Sequence, residues 1–209
     1  MEFDAILIPA RRAEMRRAGL WHDRTINGEL DACVAECPDK LALTALRAED
    51  GTLTRFTYRE LAGMAERVAV GLSRLGVGPN DVVACQLPNW WQFTVLYLAC
   101  SRIGAVMNPL MPIFRERELS FMLAHGEAKV FVVPKRFRDF DHEQMALGLQ
   151  AKLPHLSHVV AVGDAGDNSF DKLLSGSAWE KETDALEVLT RHRPGPDDVT
   201  QLIYTSGTT

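Results

Sequence analysis

Residues 81–109, DVVACQLPNWWQFTVLYLACSRIGAVMNP, change character three times, and those changes set the fold. The run VVACQL is short, apolar and β-branched at its start, as a strand buried on both faces is. Pro88-Asn89 reads as a turn, with Asn89 placed to cap the next helix. Residues 90–103 are apolar around most of a helical circumference, which predicts a helix packed between layers rather than lying on a surface. Gly104 ends that helix, and AVMNP is the next strand. Connections this short put strand, helix and strand into one parallel sheet, wound right-handedly.

The pattern continues on both sides. Downstream, a polar helix opens near Arg115-Glu116, buries Leu119, Met122 and Leu123, and stops at Gly126; KVFVVP is another buried strand. Residues 141–152 suit a helix, HVVAVG a strand, and after a surface excursion with one or two short helices VTQLIY reads as a final strand. Upstream, Thr57 and Glu60 in FTYREL have capping-box spacing, with Phe56 and Leu61 at staple positions. Leu61, Met64, Ala65, Val68, Leu72 and Leu75 then recur along one helix face, and Gly76 stands where a left-handed residue closes it. LALTALR and TLTRFT around AEDG predict a hairpin. Before it, two short helices are separated by GLWHDRT, with Thr25 capping the second and Pro38 ending it. The fold class is α/β, a mostly parallel sheet flanked by helices, with residues 1–56 forming an arm and hairpin and 57–209 the α/β part.

Composition narrows the function. The 209 residues are 46% hydrophobic and 24% charged, as in globular proteins, and a net charge of -5 speaks against a general nucleic-acid binder. Arg11, Arg12, Arg16 and Arg17, interrupted by Glu14, read as a solvated helix face. The longest strongly apolar run, residues 93–100, is far short of a membrane span, and no secretory leader is visible, so the cytoplasm is the expected compartment. Cys33 and Cys37 share a helix face, but His22 completes no ligand set, so the four cysteines are expected to be free thiols and no metal site is expected. Gly71, Gly76 and Gly78 lie in and after a helix instead of joining strand to helix, so they are no dinucleotide fingerprint. The six histidines are scattered, no GxSxG elbow occurs, and Trp90-Trp91 read as core before ligand contacts. Paired catalytic groups are hard to find among these residues.

The stretch LIYTSGTT, residues 202–209, is different. Thr205, Ser206, Gly207, Thr208 and Thr209 combine small side chains, hydroxyl donors and free backbone N–H groups directly after a buried strand. Those are the components of a phosphate cradle, at the place where open α/β sheets bind ligands.

FTYREL, then residues 71–112, then ELSFMLAHGEAKVFVV, then DDVTQLIYTSGTT resemble, in order and spacing, the N-terminal region of the adenylate-forming enzymes, which include acyl- and aryl-CoA ligases and peptide-synthetase adenylation domains. LPNWW and GAVMNPLMPIFRERELSFML are most similar to the branch acting on medium-chain or alicyclic acids such as cyclohexanecarboxylate. The resemblance implies an acid activated by MgATP as an acyl-adenylate and handed to CoA, with Thr205, Ser206, Gly207, Thr208 and Thr209 opening the ATP phosphate loop. Arg115 and Arg117 are candidates for the phosphates of CoA, with ion pairing to Glu116 or Glu118 as the competing reading. It further implies that the loop continues as Gly-x-Pro-Lys past Thr209. The Mg²⁺ acid, acyl pocket and mobile C-terminal domain would come after it, so that this portion alone is expected to be inactive and prone to self-association through uncovered sheet. Alternatives are an aryl-acid or amino-acid adenylating enzyme serving a carrier protein, and a non-catalytic nucleotide-binding or interaction module.

Overall fold

The computed structural model describes residues 8–163, 166–191 and 193–205. Two short helices open it: α1 (Pro9–Arg17), with proline in its first turn, and α2 (Ile26–Glu36), whose cap Thr25 accepts from Gly28 N at 3.0 Å. β1 (Leu41–Leu46) and β2 (Leu53–Thr57) pair as an antiparallel hairpin. α3 (Tyr58–Arg74) starts on the expected capping box: Glu60 N donates to Thr57 Oγ1 at 3.3 Å, and Thr57 N donates back to Glu60 Oε2 at 2.8 Å. Gly76, at φ 79°, turns the chain out of the helix.

Next come β3 (Val82–Cys85), α4 (Trp91–Arg102), β4 (Val106–Pro109), α5 (Glu116–His125) and β5 (Ala128–Pro134). A two-residue hairpin, β6 (Arg136–Phe137) and β7 (Phe140–Asp141), leads into α6 (His142–Gln150), which Asp141 caps through Gln144 N at 2.9 Å. β8 (His158–Val162) completes the parallel sheet in the order β4-β3-β5-β8. A π-helical turn, Asp171–Ser175, and α7 (Ala185–Arg191) lie in the excursion beyond β8.

Side-chain alternation along these strands feeds two cores. Val83, Cys85, Val130, Val132, Val160 and Val162 pack with the apolar faces of α3 and α4, while Val82, Ala84, Phe131, Val133, Val159 and Ala161 pack with α5 and α6. The sheet is thus covered on both sides, as its unbroken apolar strands require.

Two expectations need correction. Asn89 does not cap α4; Trp90 occupies the cap position without a side-chain bond, because its N–H turns back to Pro88 O at 2.6 Å and starts the helix one residue later. VTQLIY does not form a full strand. It meets β4 through one parallel bridge, Gln201 to Met107, with Met107 N donating to Thr200 O and Leu202 N to Met107 O, each at 3.0 Å.

Candidate functional site

Because the sheet is parallel, the segments after β3, β4 and β5 all leave from one edge. There they enclose a groove of about 450 Å³ lined by Leu87, Pro88 and Asn89 after β3, Met111, Pro112, Ile113 and Arg115 after β4, and Phe137 and Arg138 after β5. Its walls are apolar, its two formal charges are both positive, and no carboxylate among the described residues lines it. Arg115 is preorganised: Nη1 donates to Pro112 O and Phe114 O, each at 2.8 Å, and the guanidinium lies 4.0 Å above the Phe140 ring. Among the described residues only Nη1 of the guanidinium makes hydrogen bonds, so the rest of the fork can donate to a ligand. Glu118 accepts from Arg115 N at 3.2 Å, and that backbone bond holds its carboxyl below the usual carboxylate range. On the opposite wall, Arg138 and Asp139 form the tip of the β6/β7 hairpin with φ of 49° and 60°. A left-handed pair suits the twist of so tight a hairpin, at a cost of order 1 kcal/mol for a non-glycine residue.

Behind the groove sit two buried polar side chains, Gln86 and His142. Gln86 Nε2 donates to Met111 O at 2.9 Å and to Phe114 O at 3.0 Å, and its Oε1 is 3.2 Å from His142 Nδ1. Burial pushes the His142 ring down to about 4, and the charge of Arg115 acts in the same direction.

Residues 200–202 run parallel to β4, and Tyr204 then docks against the last turn of α5. Its hydroxyl donates to Met122 O at 3.0 Å, and His125 Nδ1, also at 3.0 Å, is left as the donor to the tyrosine oxygen. Phe121 stacks on His125 with ring centres 5.5 Å apart. Thr205 comes next, exposed. Ser206, Gly207, Thr208 and Thr209 lie outside the described residues.

Of the two arginines singled out in the sequence, Arg115 lines the groove, whereas Arg117 is exposed on α5 and does not. Sequence reasoning passed over Arg138, Gln86 and His142. For Arg138 the alternation in RFRDFD is compatible with a hairpin, but no glycine or asparagine marks its turn. Trp90 and Trp91 pack mainly as core: Trp91 lies against Phe56 and Phe170, Trp90 against Phe137 with Arg47 over its ring. Among the described residues no three His, Cys, Asp or Glu side chains gather to hold a metal, and no helix is long and apolar enough to cross a membrane.

A parallel sheet whose carboxyl edge carries an arginine-lined groove is the layout in which open α/β folds place their ligand sites. Residues 30–209 match the AMP-binding enzyme family, and the chain belongs to it. Among curated relatives it is 34% identical to the medium-chain fatty-acid–CoA ligase of Escherichia coli strain K12, over 95% of this chain and 33% of that protein. It is 37% identical to the salicyl-AMP ligase / salicyl-S-ArCP synthetase of Mycobacterium tuberculosis, over 75% of this chain and 27% of that one. The apo structure of Mycobacterium smegmatis MbtA superimposes on it with a TM-score of 0.70 at 30% identity, covering 96% of this chain and 35% of that one. The chain therefore spans about a third of the length of the relatives it matches.

Proposed function

We propose that the protein carrying this chain is an ATP-dependent acyl-CoA ligase acting on a medium-chain or alicyclic carboxylic acid. The observation that carries this reading is the parallel attachment of residues 200–202 to β4, the strand whose following turn lines the groove. In this reading Thr205, Ser206, Gly207, Thr208 and Thr209 hold the ATP phosphates. Negative charge grows on the departing pyrophosphate as the acid oxygen attacks the α-phosphorus, and donors already aimed at it lower the barrier without rearranging. Tyr204, pinned to the end of α5, fixes where that loop begins. Arg115 and Arg138 supply positive charge for the phosphates of CoA, and Met111 and Ile113 offer apolar surface to its thiol arm. Mg²⁺, when bound, would neutralise polyphosphate charge.

The complete protein should catalyse acid-dependent exchange of pyrophosphate into ATP, and then form a CoA thioester. A panel of medium-chain, alicyclic and aryl acids identifies the substrate class, and absence of exchange with every acid would refute the assignment. Arg115→Ala should raise KM for CoA roughly tenfold, the scale of one charge-assisted bond, and leave the exchange reaction unchanged. Arg117→Ala, outside the groove, should change neither. A second reading is favoured by the salicyl-AMP ligase relative and by the MbtA likeness: an aryl acid passed to a carrier protein. Salicylate-dependent exchange with no CoA thioester would decide for it.

A further inference from the structure

The pair Gln86 and His142 has one consistent set of protons. Gln86 Nε2 satisfies two backbone carbonyls, Met111 O and Phe114 O, so the amide orientation is fixed. Its Oε1 then faces His142 and accepts, which puts the imidazole proton on Nδ1. His142 Nε2 is left as a buried acceptor without a partner among the described residues. Buried polar links of this kind rigidify the segments they join.

What it holds is both walls of the groove. Through Gln86 it grips the backbone of the turn after β4, which carries Met111, Ile113 and Arg115. Through its ring, His142 packs edge-on to Phe140 at 5.0 Å and lies 6.4 Å from Phe137, in the hairpin that carries Arg138. Its own backbone N–H donates to Lys135 O at 3.1 Å, tying the start of α6 to the end of β5. Arg115, lying over Phe140, closes the circuit.

We infer that Gln86 and His142 are positioning residues that set the spacing between Arg115 and Arg138, and with it the affinity of the groove for the phosphate-bearing end of CoA. This rests on the ligase reading for the identity of the occupant, but not for the mechanical role.

The test uses the complete protein and four variants. Gln86→Glu keeps the shape and removes both N–H donors; Gln86→Leu and His142→Leu remove the polar link. His142→Asn offers an amide N–H near the position of Nδ1. The three disruptive variants should raise KM for CoA about fivefold or more, with pyrophosphate exchange within about twofold of the parent, and His142→Asn should stay near the parent. Equal losses in both half-reactions, an unchanged KM for CoA in folded disruptive variants, or an asparagine no better than leucine would overturn the inference. Hydrogen exchange of the amides in residues 110–115 gives a readout that needs no acyl acceptor. Faster exchange in the disruptive variants but not in His142→Asn supports the mechanical role, and unchanged exchange overturns it. Should no CoA thioester form at all, the ligase reading falls alone, and the exchange data still judge the pair.

Discussion

At the scale of single residues, His142 couples the groove to pH. The folded ring titrates at about 4 because burial penalises its charged form and Arg115 repels it; an unfolded histidine titrates near 6.5. Between those values the unfolded chain binds the proton and the native one does not, so stability falls as pH drops through this window. The difference corresponds to roughly 3 kcal/mol, present in full above pH 6.5 and lost by about pH 4. Glu66 works the other way: burial raises its carboxyl, so the native state takes up that proton first and loses stability as pH rises. Comparison with a non-titrating variant separates the two. Urea unfolding of the parent and of His142→Asn at pH 7 and pH 4 should show the variant's pH dependence smaller by about that amount. Parallel curves would show that His142 ionises as freely in the fold as outside it.

At the scale of elements, α3 carries a pair of glycines with opposite prospects. Both Gly63 and Gly71 sit in the helix interior, where alanine is favoured by roughly 0.5–1 kcal/mol. A Cβ on Gly63 meets nothing within 4 Å, so Gly63→Ala should raise stability by about that amount. A Cβ on Gly71 would lie 3.0 Å from Leu174 Cα and 3.2 Å from Leu173 O, backbone atoms of the π-helical turn. That turn cannot yield as a side chain tip would, so Gly71→Ala should lower stability by roughly 1–3 kcal/mol, the cost of overpacking a core. Thermal melts of the two variants should move in opposite directions; two shifts of the same sign would remove the distinction. The sequence announced α3 itself, since Thr57, Glu60, the apolar stripe and Gly76 are all local signals. Gly71's closeness to Leu174 was invisible, because it depends on where an irregular segment about a hundred positions later is laid down. The β6/β7 hairpin escaped for a related reason: its tip uses arginine and aspartate where glycine or asparagine would have marked the turn.

Across the whole molecule, legibility divides along the same line. Strands and helices of the sheet could be read because their periodicities are properties of short windows. The groove could not, being assembled from three loops that leave three different strands; Gln86 and His142 meet only once β3 and α6 are side by side. Another such long-range link bears on how the ends of the chain are joined. Arg102, in α4 and almost wholly buried, donates from Nη1 to Asp31 Oδ2 at 3.0 Å and from Nη2 to the other oxygen, with Glu66 of α3 at 3.6 Å. Arg193 reaches the same Asp31, so one aspartate of α2 ties down both α4 and the segment returning toward β4. Burial works against the charge on Asp31, yet the two guanidiniums still hold its carboxyl below the usual range. Removing one partner of a fully buried ion pair costs about 3–5 kcal/mol; here both acids keep about a third of their surface in water, which reduces the expected loss for Arg102→Met to roughly 2 kcal/mol. Arg102→Lys, which keeps the charge but loses the two-pronged geometry, should recover only part of it. Adding Asp31→Leu to Arg102→Met should cost less than the sum of the single changes, because the carboxylate stranded by the first is then gone. Urea denaturation of the parent and these variants, with Asp31→Leu alone among them, measures each of these differences. Strict additivity, or a stable Arg102→Met, would mean that α2, α3 and α4 are held by their apolar contacts alone and that the ion cluster contributes nothing to joining the arm to the sheet.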